Sequence, residues 1–338
     1  MSRRHVTAIG SFAVCAVAAV VVVLALLQRP PAAPRFAPVP TPSPPAPAPR
    51  RPPPLLSPFT GKPVRALGPV LAVKIDNFVL ARPQTGLRSA DIVYVLPVEG
   101  GLSRFCAVFS SHLPRVIGPV RSAREDDLEL LRQFGKPGFA YSGAAPHLLP
   151  FVHRARVVDL YAATARGYYR SSSRIAPYNL FAHAGSLMAQ ARRGGASRAR
   201  DIGFRFSAGP PPGGHRASSY TVRYPAAAFT FRWSAAAGRW LTWMDGAPAR
   251  DTGGGQLGGA TVVIQYTVVR TSRFLEYGSR PPYAQSAGAG RAVVLRNGRA
   301  YHVTWSRPSR GRGTVYRLPS GKRMTFAPGQ VWVLLVRR

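Results

Sequence analysis

Apolar side chains run from Val6 to Leu27 without a charged residue among them. A helix of about 20 such residues spans a hydrocarbon core roughly 30 Å thick. Because Arg3 and Arg4 precede the run, the positive-inside rule places the N-terminus in the cytoplasm and the rest of the chain outside. Residues 1–29 are therefore predicted to be an uncleaved, single-pass membrane anchor, with a cleaved signal peptide as the alternative.

Proline replaces this pattern in residues 30–57. Thirteen of the 34 prolines fall between residues 30 and 54. Such a density favours an extended polyproline II segment, rising about 3.1 Å per residue, over a packed fold. This Pro-rich linker is predicted to lift the folded part of the chain off the membrane.

Strand and helix patterns alternate in residues 58–206, which predicts a mixed α/β domain. Gly100–Gly101 predicts a two-residue hairpin turn, and Pro97 before it predicts that its strand is an edge strand or carries a bulge. Ser122 and Glu125 have the capping-box spacing of a helix start. The predicted strands are Pro69–Asn77, Asp91–Val98, Leu102–Phe109, Val116–Val120 and Phe139–Gly143, and further helices are predicted near His147–Arg154 and Ser186–Arg193.

Short apolar runs separated by turn residues fill residues 207–338 and predict a β-rich second domain. All five tryptophans lie there and are predicted to pack in its core, with a carbohydrate-stacking surface as the alternative. The fold class is thus α+β, with an α/β domain and then a β-rich domain behind an N-terminal transmembrane helix. The predicted strands are Tyr220–Tyr224, Phe229–Trp233, Arg239–Met244, Thr261–Val269, Ala292–Leu295, Tyr301–Trp305, Thr314–Arg317 and Gln330–Val336.

The composition of the 338 residues excludes several classes. Hydrophobic residues at 46% argue against disorder, and two cysteines exclude a disulfide scaffold. The chain carries 46 Lys and Arg against 12 Asp and Glu, a net charge of +34. Because the excess is spread over both domains and not gathered in one stripe, nucleic acid is not a predicted partner. A basic ectodomain is instead expected to adhere to anionic membrane and wall surfaces in a salt-dependent way.

Consecutive motifs in the first domain give the chain a family resemblance. They are Lys74–Asn77, Ala81–Leu87, Ala90–Tyr94, Val98–Gly101, Gly118–Arg124 and Ala176–Leu180. With these motifs the chain resembles the YerB-like lipoprotein family of bacterial envelope proteins, whose two domains have no known function. The resemblance implies a membrane-attached, envelope-facing protein and supplies no reaction. The chain departs from the family pattern at Tyr178 and Ala249, where members often have His, and it has no clear lipobox.

The usual enzyme motifs are missing from the sequence. It has no G-x-S-x-G, H-E-x-x-H, P-loop or C-x-x-C pattern. The seven histidines show no metal-ligand spacing, and Cys106 fits a buried apolar position in a strand. No cofactor and no metal are predicted.

Carboxylates and arginines concentrate at the strand ends of the first domain. Asp76, Asp91 and Glu99 are expected to lie near basic side chains there, as a buried salt-bridge network or as a ligand or catalytic site. In a catalytic site Asp76 or Glu99 would be the general base, and the arginines would hold an anionic group. The acids from Glu125 to Glu129 are expected to be helix-start charges in solvent. The candidate ligand-binding residues are Lys74, Asp76, Asn77, Arg82, Asp91, Glu99, Arg104, Arg121, Ser122, Arg124 and Asn179.

The leading functional hypothesis is a membrane-anchored extracytoplasmic module that binds an envelope ligand, such as a glycan or an anionic polymer. Its expected partners are the cell membrane and a cell-wall polymer or another envelope protein. Two alternatives stay open: a wall-active hydrolase or transferase with Asp76 or Glu99 as acid/base, and an envelope protein–protein scaffold acting through the β-rich domain.

Overall fold

The computed structural model describes residues 33–34, 53–276 and 278–338. The predicted membrane anchor and most of the Pro-rich linker lie outside these ranges. Among the described residues, no helix is long and apolar enough to cross a membrane.

The first half of the folded chain contains short helices between strands. Its strands are β1 (Leu71–Asp76), β2 (Ile92–Pro97), β3 (Ser103–Phe109), β4 (Val116–Ile117), β5 (Gly138–Tyr141), β6 (Val158–Tyr161), β7 (Tyr168–Arg170) and β8 (Leu180–His183). Its helices are α1 (Glu125–Leu130), α2 (Leu149–His153) and α3 (Ala184–Arg193). The helices are few and short, so the described chain is mostly β.

The second half is β-rich, and each strand predicted there has a counterpart in the structure. Its strands are β9 (His215–Arg216), β10 (Ser219–Tyr224), β11 (Ala227–Ser234), β12 (Arg239–Met244), β13 (Ala247–Pro248), β14 (Gly258–Gly259), β15 (Thr261–Thr267), β16 (Val269–Thr271), β17 (Pro282–Ala284), β18 (Gly288–Arg296), β19 (Arg299–Arg307), β20 (Val315–Arg317) and β21 (Val331–Arg337).

One large mixed sheet joins the two halves. Its strand order is β20-β19-β18-β15-β21-β2-β3-β1-β5-β6, and β9 pairs with β19. The halves meet where β21 runs parallel to β2, with Ile92 opposite Val331 and Val95 opposite Leu334. Since β21 is covered on both faces, its run from Val331 to Leu335 is buried throughout. The two predicted domains therefore share one sheet, and residues 53–338 form one compact unit.

Each face of the large sheet is covered by its own core. Leu71, Val73 and Ile75 of β1 face a core that includes α3 and the small sheet of β10–β14. The alternate positions of β1, Ala72 among them, face a second core with α1 and α2. Lys74 and Asp76 share that second face, and Lys74 reaches Asp127 of α1.

The hairpin between β2 and β3 differs from its prediction. The turn is a three-residue 3₁₀ turn, Glu99–Gly101, with φ angles of 66° and 72° at its glycines. The prediction that β2 is an edge or bulged strand is wrong, since β2 lies between β3 and β21. Pro97 has no amide hydrogen to donate. It is tolerated because the pairing of β2 with β21 ends at Val95, so no hydrogen bond to β21 is needed from Pro97.

The start of α1 also differs from its prediction. Arg124 takes the N-cap position that was expected for Ser122, and the Arg124 amide donates to Asp127 Oδ2 at 2.7 Å. The helix therefore begins two residues later than the capping-box spacing indicates, and it turns its acids toward the sheet. Asp126, Asp127 and Glu129 are buried, so the expectation that they lie in solvent is wrong.

The acids of α1 bind groups from both halves of the chain. Lys74 Nζ lies 2.7 Å from Asp127 Oδ1, and both side chains are fully buried. Glu129 accepts hydrogen bonds from the amides of Ser286 and Ala287, at 2.8 and 2.9 Å. Glu125 accepts from Ser272 Oγ at 2.7 Å. Ser272, Ser286 and Ala287 of the second half are thereby fixed against the first half.

The Lys74–Asp127 pair is predicted to behave as a buried ion pair in stability measurements. Lys74→Met leaves the Asp127 charge without its cation and should lower the free energy of unfolding by about 3–5 kcal/mol. Lys74→Met/Asp127→Asn removes both charges and keeps an acceptor for the Arg124 amide, so it should lose less. Urea unfolding of the purified full chain, followed by tryptophan fluorescence, measures both. Equal losses in the single and double variants would contradict this assignment.

Asp126 is predicted to make stability depend on pH. Burial raises its pKa from 3.8 to about 7 against the attraction of Lys74, and the like charge of Asp127 adds to the rise. Between about pH 4 and 7 the folded chain holds a proton that the unfolded chain has lost, so this group destabilises the fold progressively as the pH rises. The free energy of unfolding of Asp126→Asn should exceed that of the wild type by an amount that grows from about 2 kcal/mol near pH 5 to about 4 kcal/mol near pH 8. A difference in unfolding free energy that stays constant over this range would count against the assignment.

Candidate functional site

The candidate site lies at the C-terminal end of β1. The segment after β4 runs antiparallel beside this end, because the Asp76 amide donates to the Pro119 carbonyl and the Arg121 amide donates to the Lys74 carbonyl, each at 2.9 Å. On the other side, β3 places Arg104 directly opposite Asp76. Backbone pairing on both sides thus brings two arginines to one carboxylate.

Asp76 is almost fully buried and is held by its own chain. Its Oδ1 accepts hydrogen bonds from the amides of Asn77, at 2.8 Å, and Phe78, at 3.2 Å. Its Oδ2 lies 3.0 Å from Arg121 Nε, and its Oδ1 lies 4.0 Å from Arg104 Nε. The carboxylate is therefore fixed in orientation and stands between two guanidinium groups.

Arg104 is a buried cation with few acceptors. The residue is only 9% exposed, and its hydrogen bond within the described chain is a long one, from Nη1 to the Ser122 carbonyl at 3.5 Å. Burial lowers the pKa of Arg104 to about 10, repulsion from Arg124 adds to the fall, and Asp76 opposes it. Its Nε has no hydrogen-bond partner among the described residues. Arg121 Nε, by contrast, lies 3.0 Å from Asp76 Oδ2. Arg104 is thus the desolvated donor of the site that lacks an acceptor.

Arg124 differs from Arg104, because its guanidinium is satisfied by protein groups. Its Nε and Nη2 donate to the two carboxylate oxygens of Glu99 at 2.6 and 3.1 Å, and its Nη1 donates to the Ala123 carbonyl at 2.9 Å. Glu276 Oε1 lies 3.3 Å from Nη2. Burial pushes the pKa of Glu99 upward, but the charge and hydrogen bonds of Arg124 outweigh it and hold that pKa below its usual value. Arg124, Glu99 and Glu276 therefore form a closed network.

An aromatic pair lies beside the two arginines. Phe78 and Tyr178 stack with ring centroids 5.4 Å apart, and the Arg121 guanidinium lies 5.9 Å from the Tyr178 ring centroid. Arg174 ties the Tyr178 loop to the site by donating to the carbonyls of Ala81 and Pro83, at 2.8 and 2.6 Å. Tyr178 is thus part of the site.

Asn77 and Arg82 hold the loop that follows β1. Asn77 Nδ2 donates to Ser103 Oγ at 3.0 Å, and Arg82 Nη2 donates to the Asn77 carbonyl at 2.9 Å. Arg82 also lies 2.7 Å from Asp245 of the second half. These contacts fix the loop that follows Asp76, so Asn77 and Arg82 have a structural role.

Three sequence candidates lie away from the site. Lys74 is sealed against Asp127, and Asn179 accepts a hydrogen bond from Arg170 at the surface. Asp91 precedes β2, at the opposite end of the sheet from Asp76, and accepts from the amides of Ser110 and Ser111. Burial raises the pKa of Asp91, although these hydrogen bonds act to lower it. The expectation that Asp91 joins Asp76 and Glu99 is wrong, because β2 runs antiparallel to β3 and its two ends carry different acids.

Ser122 lies at the edge of the site, with its hydroxyl 3.5 Å from that of Ser142. Cys106 is buried in β3, as the sequence indicates. Within the described ranges, no group of three or more His, Cys, Asp or Glu side chains is arranged to hold a metal ion. The arrangement is suited to binding an anionic group, because two guanidinium groups share one carboxylate and Arg104 is left without a good acceptor.

The comparisons with known proteins agree with this layout. Residues 59–197 match the N-terminal domain and residues 220–333 the C-terminal domain of a family described as "Protein of unknown function (DUF3048)". A Bacillus subtilis (strain 168) relative named "Putative lipoprotein YerB" is 26% identical over 279 residues, which cover 79% of this chain and 80% of the relative. The crystal structure of the YerB protein from Bacillus subtilis matches with a TM-score of 0.70 at 23% identity, over 84% of this chain and 97% of that one, and supports the fold.

Stability measurements should separate the two kinds of arginine in this region. Arg124→Gln breaks a buried bidentate pair and should lower the free energy of unfolding by about 3–5 kcal/mol. Arg121→Gln should cost only about 1 kcal/mol, because its side chain is 24% exposed and Asp76 keeps its two amide donors. Urea titrations of both variants test this. If Arg121→Gln lowers the free energy of unfolding as much as Arg124→Gln does, both residues belong to one closed network.

Proposed function

The chain belongs to the DUF3048 family of YerB-like proteins, and on that premise we propose that it is a membrane-attached, extracytoplasmic protein that binds an anionic envelope ligand at the Arg104–Arg121 site. The location is supported by the relative named as a lipoprotein and by the anchor predicted for residues 1–29. The ligand class is supported by the site itself.

The buried Arg104 guanidinium is the observation that carries the proposal. Burying a charged donor without acceptors costs free energy, and a carboxylate or phosphate oxygen offsets that cost. Charge-assisted bonds from guanidinium to such oxygens are among the strongest in proteins. Arg121 adds a second guanidinium beside it, and the Arg121 side chain is 24% exposed to solvent.

The remaining groups favour an anionic glycan over a bare anion. Phe78 and Tyr178 present an aromatic surface next to Arg121, and aromatic faces pack against the apolar side of sugar rings. Donors for an acid group and a flat apolar surface together match a uronate-containing or phosphate-containing wall polymer.

The hydrolase or transferase alternative is less well supported. A general acid or base needs a carboxylate free to exchange protons with substrate. Both oxygens of Glu99 are occupied by Arg124, and the pKa of Glu99 is lowered, which makes it a poor proton donor. Asp76 is oriented by two backbone amides and flanked by two cations, an arrangement typical of a positioned acceptor. The scaffold alternative stays a prediction.

Binding to purified cell-wall fractions tests the proposal. The full chain should bind a fraction rich in anionic polymer, and Arg104→Gln/Arg121→Gln should weaken that binding at least about tenfold, since two charge-assisted contacts are lost. The matched control is Arg192→Gln/Arg193→Gln, in the last turn of α3 on the opposite face of the large sheet. It removes the same charge and should bind like the wild type.

Two results would contradict the proposal. One is unchanged binding by Arg104→Gln/Arg121→Gln with its fold intact by circular dichroism. The other is an equal loss in the control variant, which would mean that net charge alone drives adhesion. Tyr178→Ala should weaken binding to glycan-containing fractions more than binding to inorganic phosphate, because its ring contacts the sugar and not the acid group.

A further inference from the structure

Far along the sheet from the Arg104–Arg121 site, arginines converge on a pocket of about 540 Å³. This arginine pocket is lined by Arg200, Arg205, Arg312, Arg317 and Arg323, and the acid among its lining residues is Asp201. The arginines come from the connection between the halves and from the segments around β20.

Backbone carbonyls hold several of these guanidinium groups in place. Arg200 donates to the Gln133 carbonyl from Nε and Nη2, at 3.0 and 2.8 Å. Arg317 Nη1 donates to the Gly321 carbonyl at 2.9 Å, and Arg323 Nη2 donates to the Gly203 carbonyl at 2.5 Å. Each anchor uses part of a five-donor fork and leaves other donors free. Anchored side chains lose less conformational entropy when a ligand binds.

The floor of the arginine pocket is formed by two backbone segments in direct contact. A Cβ at Gly313 would come within 2.0 Å of the Ile202 carbonyl carbon, and one at Gly203, whose φ is +95°, within 2.2 Å of the Thr314 oxygen. Glycine is therefore required at both positions. This contact fixes the distance between the two backbone segments that carry the arginines. The pocket is therefore preformed.

The positive charge of the arginine pocket is largely uncompensated. Asp201 is already engaged, with one oxygen 2.9 Å from Arg205 and the other accepting the Gly203 amide at 2.7 Å. Burial lowers the pKa of Arg323, and repulsion from Arg205 adds to the fall. Like charges held together by the fold repel one another, and a multivalent anion between them relieves that repulsion.

We propose that the arginine pocket is a binding site for a ligand that carries two or more phosphate groups. Arginine forks bind phosphate oxygens in pairs, and several converging forks require more oxygens than one carboxylate supplies. The volume accommodates a short run of linked phosphates. The ligand's source is a soluble polyphosphate, a glycerol-phosphate wall polymer or clustered phosphate headgroups of an anionic membrane, all of which present the same chemistry.

Titration calorimetry of the full chain with tripolyphosphate tests this site. Wild-type affinity should fall as NaCl rises, because the contacts are partly exposed and screened. Arg312→Gln/Arg317→Gln should bind about tenfold more weakly, since two guanidinium contacts are lost. The variant should keep its fold, because Arg317 anchors only its own turn. Arg65→Gln/Arg166→Gln removes two exposed arginines outside the pocket and should bind like the wild type.

Parallel titrations with poly(glycerol phosphate) and with phosphatidylglycerol vesicles identify the source. Binding of any one of the three probes that is lost in Arg312→Gln/Arg317→Gln and kept in the control supports the site. Arg312→Gln/Arg317→Gln should lower tripolyphosphate affinity by the same factor in the wild type and in an Arg104→Gln/Arg121→Gln background, which keeps this result separate from the proposed function. The inference is overturned when the wild type binds none of the three probes, or when the pocket variant binds them as tightly as the control.

Discussion

The burial of charge beneath α1 is the constraint on which the rest of this fold depends. Asp126, Asp127 and Glu129 lie against the large sheet, where an unpaired carboxylate is costly. Lys74 from the first half neutralises one of them, and amides of segment 272–287 satisfy another. Glu125 and Glu129 take their partners from the second half, so these contacts depend on how the two halves meet. The acids therefore act with the β2–β21 pairing to fix how the halves meet.

The same constraint separates the arginines at the end of β1 by role. Arg124 caps α1 and is closed off by Glu99 and Glu276, one from each half. Once those acids are used, Asp76 alone remains for Arg104 and Arg121, and it lies 4.0 Å from Arg104. The incomplete satisfaction of Arg104 thus follows from the complete satisfaction of its neighbour. A closed network of this kind holds the neighbouring Arg104 and Arg121 in a fixed frame, which is the preorganisation that ligand binding requires.

Local patterns predicted the strands well and the charge pairs poorly. Runs such as Thr261–Val269 and Gln330–Val336 are rich in β-branched and apolar residues, so neighbouring residues alone indicate a strand. Asp127 is buried because it pairs with Lys74, which is 53 positions away, and because the helix N-cap is Arg124 and not the predicted Ser122. The partner of Arg124 in the second half, Glu276, lies in a loop without any local signal. Strand direction also separated Asp91 from Asp76, because burial alone does not say at which end of a sheet an acid lies.

The net charge of +34 is distributed unevenly, and the balance of acids and bases differs between the two arginine-rich sites. At the Arg104–Arg121 site three arginines face Asp76, Glu99 and Glu276, so the local charge is balanced and discrimination must come from geometry. In the arginine pocket the guanidinium groups outnumber the acid, which is already paired, so attraction comes from charge and is open to screening. The proposed binding at the balanced, buried site would therefore depend on geometry, and the proposed binding at the unbalanced, open pocket would depend on charge. In the membrane-attached protein that we propose, retention at an anionic surface would raise the local concentration of whatever the Arg104–Arg121 site recognises.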